Sequence, residues 1–420
     1  MYLKLKYKCI KNNNIINICG SKSESNRLLI IKKLFNNIKL FNISNSNDTN
    51  LMIKLLNEKK KIINVKDAGT VMRFLISYFA IKKKSIKILT GTNRMLNRPI
   101  FFLVKALNDI GADIKYKNKI GYPPIKIIGK KIKKNKIYIN SNISSQYISS
   151  LILIGPKLKN GLIINLLKKN ISFSYIKMTI NILKKININV RLKKNIIKIK
   201  NYKFKKNKKI KYEIESDWSS ASYFYSIVSI LDKKKLILTK FKKKSLQGDS
   251  IISDIYNKFF GVETIFLKKN IIIIKKKKKF KLPKYIEINL ESTPDIAQTI
   301  IVTCSLLKIK CLLYGLKTLK IKETDRLIAL QNELKKNGTI TKITNNSIKI
   351  IKFLKIKYTK NILIKTYKDH RMAMSFSILA IKYNLIIENP NTVNKSYPNF
   401  WNDLKKIGFF LNELKNYKKK

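Results

Sequence analysis

The chain of 420 residues carries 91 lysines and arginines against 23 acids and one histidine, a formal charge of +68. That length exceeds what a single hydrophobic core usually serves and predicts two domains. With 45% hydrophobic and 10% aromatic residues the composition excludes a disordered polymer, and one histidine with no C-x-x-C pair among Cys9, Cys19, Cys304 and Cys311 leaves no zinc-site pattern.

From the N-terminus, MYLKLKYKCIKNNN lacks the apolar core of a leader, and no later run approaches the roughly 18 apolar residues of a membrane span. A cytoplasmic protein with reduced thiols, away from the membrane, is therefore expected. Six segments then share one pattern, a small polar or acidic residue suited to capping a helix followed by an apolar helical run. They read SKSESNRLLIIKKLF, GTVMRFLISYFAI, SSQYISSLILIG, SSASYFYSIVSIL, DIAQTIIVTCSLL and DHRMAMSFSILAI. Measured between Ser23, Thr70, Ser144, Ser219, Asp295 and Asp369, the steps are 47, 74, 75, 76 and 74 residues, which predicts an internal repeat of strands and helices. Between them lie strand-like runs such as KSIKILTGTN, KNGLIINLL and NNSIKIIKF, and helical ones such as SYIKMTINILKKI and DRLIALQNELKKNG. Two domains of three units each follow. Helix starts that converge on a cleft would form an anion site, because their first N–H groups are unpaired and the dipole end is positive.

Lysine recurs along the whole chain, as in KKIKKNKIYIN and IIIIKKKKKFK, beside an excess of Ile and Asn. All three have A/T-rich codons, so compositional drift explains the charge better than a nucleic-acid partner, for which no recognition motif is present. Only seven of the basic residues are arginine, and Arg27, Arg73, Arg94, Arg98, Arg326 and Arg371 fall in motif segments while Arg191 does not. Lysine substitutes where a point charge suffices, but not where a planar fork must grip carboxylate or phosphate.

Along those segments, GSKSESNR places Lys22, Ser23 and Arg27 at a helix start, with Ser21 and Glu24 at capping-box spacing. DAGTVMR offers Gly69 for close backbone approach and Thr70 as cap, while Arg94 and Arg98 share a face if NRMLNRPI is helical. Ser144, Ser145 and Gln146, with Ser172 and Tyr175, supply neutral donors for phosphate and hydroxyl groups. Asp295 opens an apolar helix and is also a candidate proton acceptor. In KETDRL, Thr324 is the expected cap, Lys322 and Glu323 stand just ahead of it, and Arg326 lies in the first turn, a carboxylate poised among cations. A charged helix start is the competing reading throughout. His370 is equally open between a structural and a chemical part, and a Ser-His-Asp hydrolase would have to use it.

Taken in order, GSKSESNR, DAGTVMR, NRPI, GYPPIKI, SSQY, SASYF, LQGDS, PDIAQT, KETDRL, YKDHRMAMS and KSYPNFW resemble the enolpyruvyl transferase family, in its shikimate branch, over residues 20 to about 401. The resemblance implies a two-domain inside-out α/β barrel, each domain three βαβαββ repeats with the active site in the interdomain cleft. It implies a lobe of residues 21–215 and a discontinuous lobe of 1–20 with 216–420. The implied reaction moves the enolpyruvyl group of phosphoenolpyruvate to the 5-hydroxyl of shikimate 3-phosphate, in aromatic amino-acid biosynthesis, in a monomer with no cofactor and no metal. By matching motif, shikimate 3-phosphate would meet Lys22, Ser23, Arg27, Ser144, Ser145, Gln146, Ser172, Tyr175, Asp295 and Lys322. Phosphoenolpyruvate would meet Lys22, Gly69, Arg98, Gln146, Arg326, Arg371 and Lys395. Asp295 resembles the family's proton acceptor and Glu323 its donor, assisted by Lys22. Asp67 stands where many members have Asn, Thr318 where some have Asn, and Gly69 keeps the small residue that leaves room for glyphosate. The rival branch acting on UDP-N-acetylglucosamine uses a loop cysteine as acid, whereas Cys304 and Cys311 lie in apolar runs.

Overall fold

The computed structural model describes residues 1–8, 14–140, 144–167, 173–203, 209–231, 235–355 and 361–415. The chain divides into two compact units, residues 20–214 and residues 1–19 with 215–420.

Within residues 20–214, two sheets have one plan. Ile62–Asn64 runs parallel to Ile86–Thr90, which pairs antiparallel with Ile125–Ile128, which in turn pairs antiparallel with Asp113–Tyr116. Lys136–Ile139, Leu162–Leu166, Ile196–Ile199 and Val190–Lys193 repeat that order and those directions. The third sheet keeps only the parallel pair, Ile210–Glu213 beside Ile38–Phe41. Its first strand comes last in the chain of this unit, so the repeat is circularly permuted.

The other unit holds three four-stranded sheets of the same plan. One joins Asn14–Ile16, Lys235–Thr239, Ile271–Lys276 and Val262–Leu267. The next joins Tyr285–Asn289, Lys310–Tyr314, Ser347–Phe353 and Thr339–Ile343. The last joins Ile362–Ile364, Leu385–Glu388, Tyr2–Tyr7 and Phe409–Leu414, so the N-terminal residues complete two sheets of the C-terminal unit.

In four of the six repeats a helix links the two parallel strands, as a parallel connection requires, and in the two permuted repeats the helix leads into the second of the pair. These are α1 (Lys22–Phe35), α2 (Gly69–Ile81), α3 (Ser145–Ile154), α4 (Trp218–Ile230), α5 (Ala297–Leu307) and α6 (His370–Ser377). A helix that is apolar all round belongs inside. Accordingly α2, α4 and α5 are buried over nearly their whole length, exposing little beyond Thr70, Ser219 and the last residue of each. Where these helices touch, small hydroxyls allow close approach and satisfy one another: Ser222 with Thr299 at 3.0 Å and Ser226 with Thr303 at 2.6 Å between α4 and α5, and Ser77 with Ser150 at 3.0 Å between α2 and α3. The sheets lie outside them, with strands such as Ile38–Phe41 and Lys136–Ile139 alternating buried and exposed residues. The expected inside-out α/β architecture is therefore present within each unit.

Some local expectations need correction. Ser23, Thr70 and Ser219 sit inside the first turn rather than capping it. Ser21 and Asp217 are the caps of α1 and α4, Ala68 precedes α2 with no side-chain bond, and Asp295 lies in a short 3-10 turn ahead of α5. Asp325, not Thr324, caps Arg326–Lys335, because its carboxylate accepts from the N–H groups of Leu327 and Ile328. The capping box at α1 is half formed: Ser21 Oγ accepts from Glu24 N–H, while the Glu24 carboxylate takes the Tyr212 hydroxyl at 2.8 Å. The helix Asn93–Leu96 stops before Arg98, so Arg94 and Arg98 share no helical face.

Candidate active site

In the unit holding residues 215–420, three repeats send charged side chains from their helix starts to one network. Arg326 is its hub and is only 2% exposed. Its Nε and Nη2 donate to the two oxygens of Asp369 at 2.7 and 3.3 Å, Nη1 donates to Asp295 at 3.1 Å and Nη2 to Glu323 at 2.9 Å. Burial alone would lower the guanidinium pKa, but Asp369, Glu323 and Asp295 together raise it above the ordinary arginine value. Lysine has one point of charge and could not hold three carboxylates in this fork.

Further cations crowd the same two carboxylates. Lys322 Nζ lies 3.5 Å and Arg371 Nη2 3.4 Å from Asp295, and Lys395 Nζ lies 3.2 Å from Glu323. Arg371 also donates to the Asp295 carbonyl at 2.8 Å and to Ser219 Oγ at 3.3 Å. Ser219 in turn donates to Asp249. Burial, then the Asp295 charge, pushes the Asp249 carboxyl up to about 6. Asp369 caps α6 through the Arg371 N–H at 2.8 Å while holding Arg326, so one buried carboxylate fixes both arginines. His370 is buried behind it, with Nδ1 3.8 Å from Asp369.

Two candidate acid–base groups thus share one guanidinium and are ringed by Lys322, Arg371 and Lys395. Such a site can hold phosphate and carboxylate groups and favours developing negative charge.

Within residues 20–214, Lys22 pairs with Asp48 at 3.3 Å. Arg27 donates from Nε to Thr179 at 2.7 Å, from Nη2 to Ser149 at 3.1 Å and from Nη1 to the Ser23 carbonyl at 2.8 Å, between the rings of Phe74 and Tyr175. Burial pushes the Arg27 guanidinium down to about 10. Much of its fork serves its own unit. Arg98 lies against Gly69, where a Cβ would stand 2.5 Å from its Nη1, so only glycine admits the guanidinium there. Arg73 braces the same turn by donating to the carbonyls of Gly69 and Pro99 at 3.2 and 3.1 Å. Gln146 Nε2 reaches Thr70 Oγ1 at 3.2 Å, and Ser144 accepts from the Gln146 N–H, with Ser145 beside it in the first turn of α3. Asp67 accepts from the Thr92 hydroxyl. Ser172 lies outside the described residues.

Reading the sequence missed Asp48, Asp249, Asp369 as the partner of Arg326, and Ser149 with Thr179 as partners of Arg27. LQGDS marks Asp249; nothing local marks the others. Cys304 and Cys311 are both buried, and burial raises the Cys304 thiol well above its ordinary value, which unfits it as a loop acid.

Among solved structures, the chain is similar to two of EPSP synthase from Acinetobacter baumannii, each with a TM-score of 0.73. Identity is 19% and 18%, over 98% and 99% of this chain and all of theirs. The fold is therefore that of these two-domain α/β synthases. At the level of sequence, the model of the family EPSP synthase (3-phosphoshikimate 1-carboxyvinyltransferase) matches residues 52–404. The 3-phosphoshikimate 1-carboxyvinyltransferases of Bacteroides fragilis strain YCH46 and of Buchnera aphidicola subsp. Cinara cedri are 40% and 36% identical. The alignments cover 94% and 96% of this chain, and 95% and 96% of theirs. The chain belongs to the EPSP synthase family.

Proposed function

We propose that this chain transfers the enolpyruvyl group of phosphoenolpyruvate to the 5-hydroxyl of shikimate 3-phosphate, giving 5-enolpyruvylshikimate 3-phosphate and phosphate, a step in aromatic amino-acid biosynthesis. Family membership supports the reaction. The observation that carries its chemistry is the network in which Asp295 and Glu323 share Arg326 while Lys322 and Arg371 flank Asp295 and Lys395 flanks Glu323.

The hydroxyl adds to C2 of the enol as C3 gains a proton; the tetrahedral adduct then loses the C3 proton and expels phosphate. Glu323 is the proton donor and Asp295 the acceptor, with Lys22 assisting. Arg326, Arg371 and Lys395, with Arg98, Gln146, Lys22 and Gly69, hold phosphoenolpyruvate. Shikimate 3-phosphate is held by Lys22, Ser23, Arg27, Ser144, Ser145, Gln146, Ser172, Tyr175, Asp295 and Lys322. Fixed cations that already surround the reacting carboxylates need not reorganise as charge develops.

The same reading has the protein act in the cytoplasm as a monomer without nucleic acid. No described helix is long and apolar enough to cross a membrane. Asp295→Asn and Glu323→Gln should each lower turnover by about two orders of magnitude or more while the melting temperature stays within a few degrees. Near-normal turnover in either variant overturns its assignment.

A further inference from the structure

A buried carboxylate that the proposed chemistry does not use lies one helix length behind the network. Glu333, near the end of the helix Arg326–Lys335, is fully buried. It accepts from Lys336 Nζ at 2.5 Å, from the Lys365 N–H at 3.0 Å and from the Tyr367 hydroxyl at 2.9 Å. Lys336 also donates to the Leu363 carbonyl at 2.9 Å. The bonds from Lys365 and Tyr367 reach the segment between the strand Ile362–Ile364 and α6, while Lys336 ties the helix end to the strand itself at Leu363.

That segment is strained. Tyr367 and Lys368 are consecutive non-glycine residues with φ of 54° and 55°, in the left-handed region where a side chain crowds the backbone. Directly after them, Asp369 bonds back to the Thr366 carbonyl through its N–H at 2.8 Å and presents its carboxylate to Arg326. A relaxed turn would aim Asp369 elsewhere.

We propose that Glu333 and Tyr367 form a positioning clamp that holds this strained turn, and thereby sets Asp369, Arg326 and Arg371 in register with the reacting carboxylates. The clamp and the fork sit on the same helix, with Arg326 at its start and Glu333 near its end, so one rigid element carries both. The claim that turnover depends on it rests on the transferase reading above. The geometric claim does not. Burial and the nearby Glu333 charge push the Tyr367 phenol up to about 12, as a hydroxyl committed to donating to a carboxylate requires.

The test compares the full chain with Tyr367→Phe, Glu333→Gln, the double variant, and Tyr367→Phe combined with Lys368→Gly, since glycine tolerates the left-handed turn. Amide hydrogen exchange and steady-state kinetics are read on the same preparations. Losing a hydrogen bond to a charged acceptor is expected to accelerate exchange at residues 366–371 at least tenfold and to lower kcat about tenfold, with KM for shikimate 3-phosphate unchanged. The double variant should be no worse than Glu333→Gln alone, since the bond lost in Tyr367→Phe is one of those Glu333 accepts, and Lys368→Gly should restore most of the loss in Tyr367→Phe. Unaltered exchange at 366–371, acceleration spread evenly over residues 215–420, or additive losses without rescue would each overturn the clamp. If the unaltered protein shows no turnover with the two substrates, the transferase reading fails while the exchange data still decide the clamp.

Discussion

At Gly69 an added methyl would meet the end of Arg98 rather than backbone, so the guanidinium must give way while the fold can stay. Gly69→Ala is therefore expected to raise the KM for phosphoenolpyruvate about tenfold, with the melting temperature unchanged or slightly higher, since alanine favours helix over glycine by up to about 1 kcal/mol. An unchanged KM would show that Arg98 takes no part in binding. Asp249 gives a second test, through pH. Its ordinary value is 3.8, and burial followed by the Asp295 charge raises it to about 6. An acid raised in the folded state favours folding while protonated, and that advantage is lost as pH climbs from about 4 to about 6. The melting temperature of Asp249→Asn should therefore gain on that of the unaltered protein across this window; parallel curves would contradict it. The arginines were legible because lysine had replaced arginine almost everywhere else in the chain. Their partners were not legible. Asp369 read as a helix cap, which it is, but its grip on Arg326 spans 43 residues and appears only once two repeats are packed together.

Six apolar runs at nearly constant spacing revealed the central helices, because a helix buried on all sides must be apolar on all sides. Their exact starts were harder to place. In three of them the capping position lies two residues before the polar residue that marked the run, since serine and threonine also occur in the exposed first turn. Strand permutation was implied only by the family resemblance: nothing local in Tyr2–Tyr7 shows that it closes a sheet with Leu385–Glu388. The hydroxyls between α4 and α5 should matter to stability. Thr303 bonds the hydroxyls of Ser226 and Tyr256 at 2.6 and 2.7 Å and donates to the Thr299 carbonyl at 2.8 Å. Thr303→Val conserves shape but leaves buried hydroxyls short of a partner, and should destabilise the protein by about 1–3 kcal/mol in urea unfolding. A loss below about 0.5 kcal/mol would mean that those hydroxyls find other partners.

For the molecule as a whole, a formal charge of +68 must act against compactness. Raising salt from about 0.05 to about 0.5 M shortens the Debye length from roughly 14 to roughly 4 Å, which screens repulsion between surface lysines while touching the buried Arg326 network much less. The melting temperature should rise by several degrees over that range, and a fall would mean that exposed ion pairs outweigh the repulsion. The central claim is chemical and has a direct measurement: release of inorganic phosphate by the purified chain, with both substrates and with each alone. Release is expected only when phosphoenolpyruvate and shikimate 3-phosphate are present together, with one 5-enolpyruvylshikimate 3-phosphate formed per phosphate. Release from phosphoenolpyruvate alone, or no release with the pair, would contradict it.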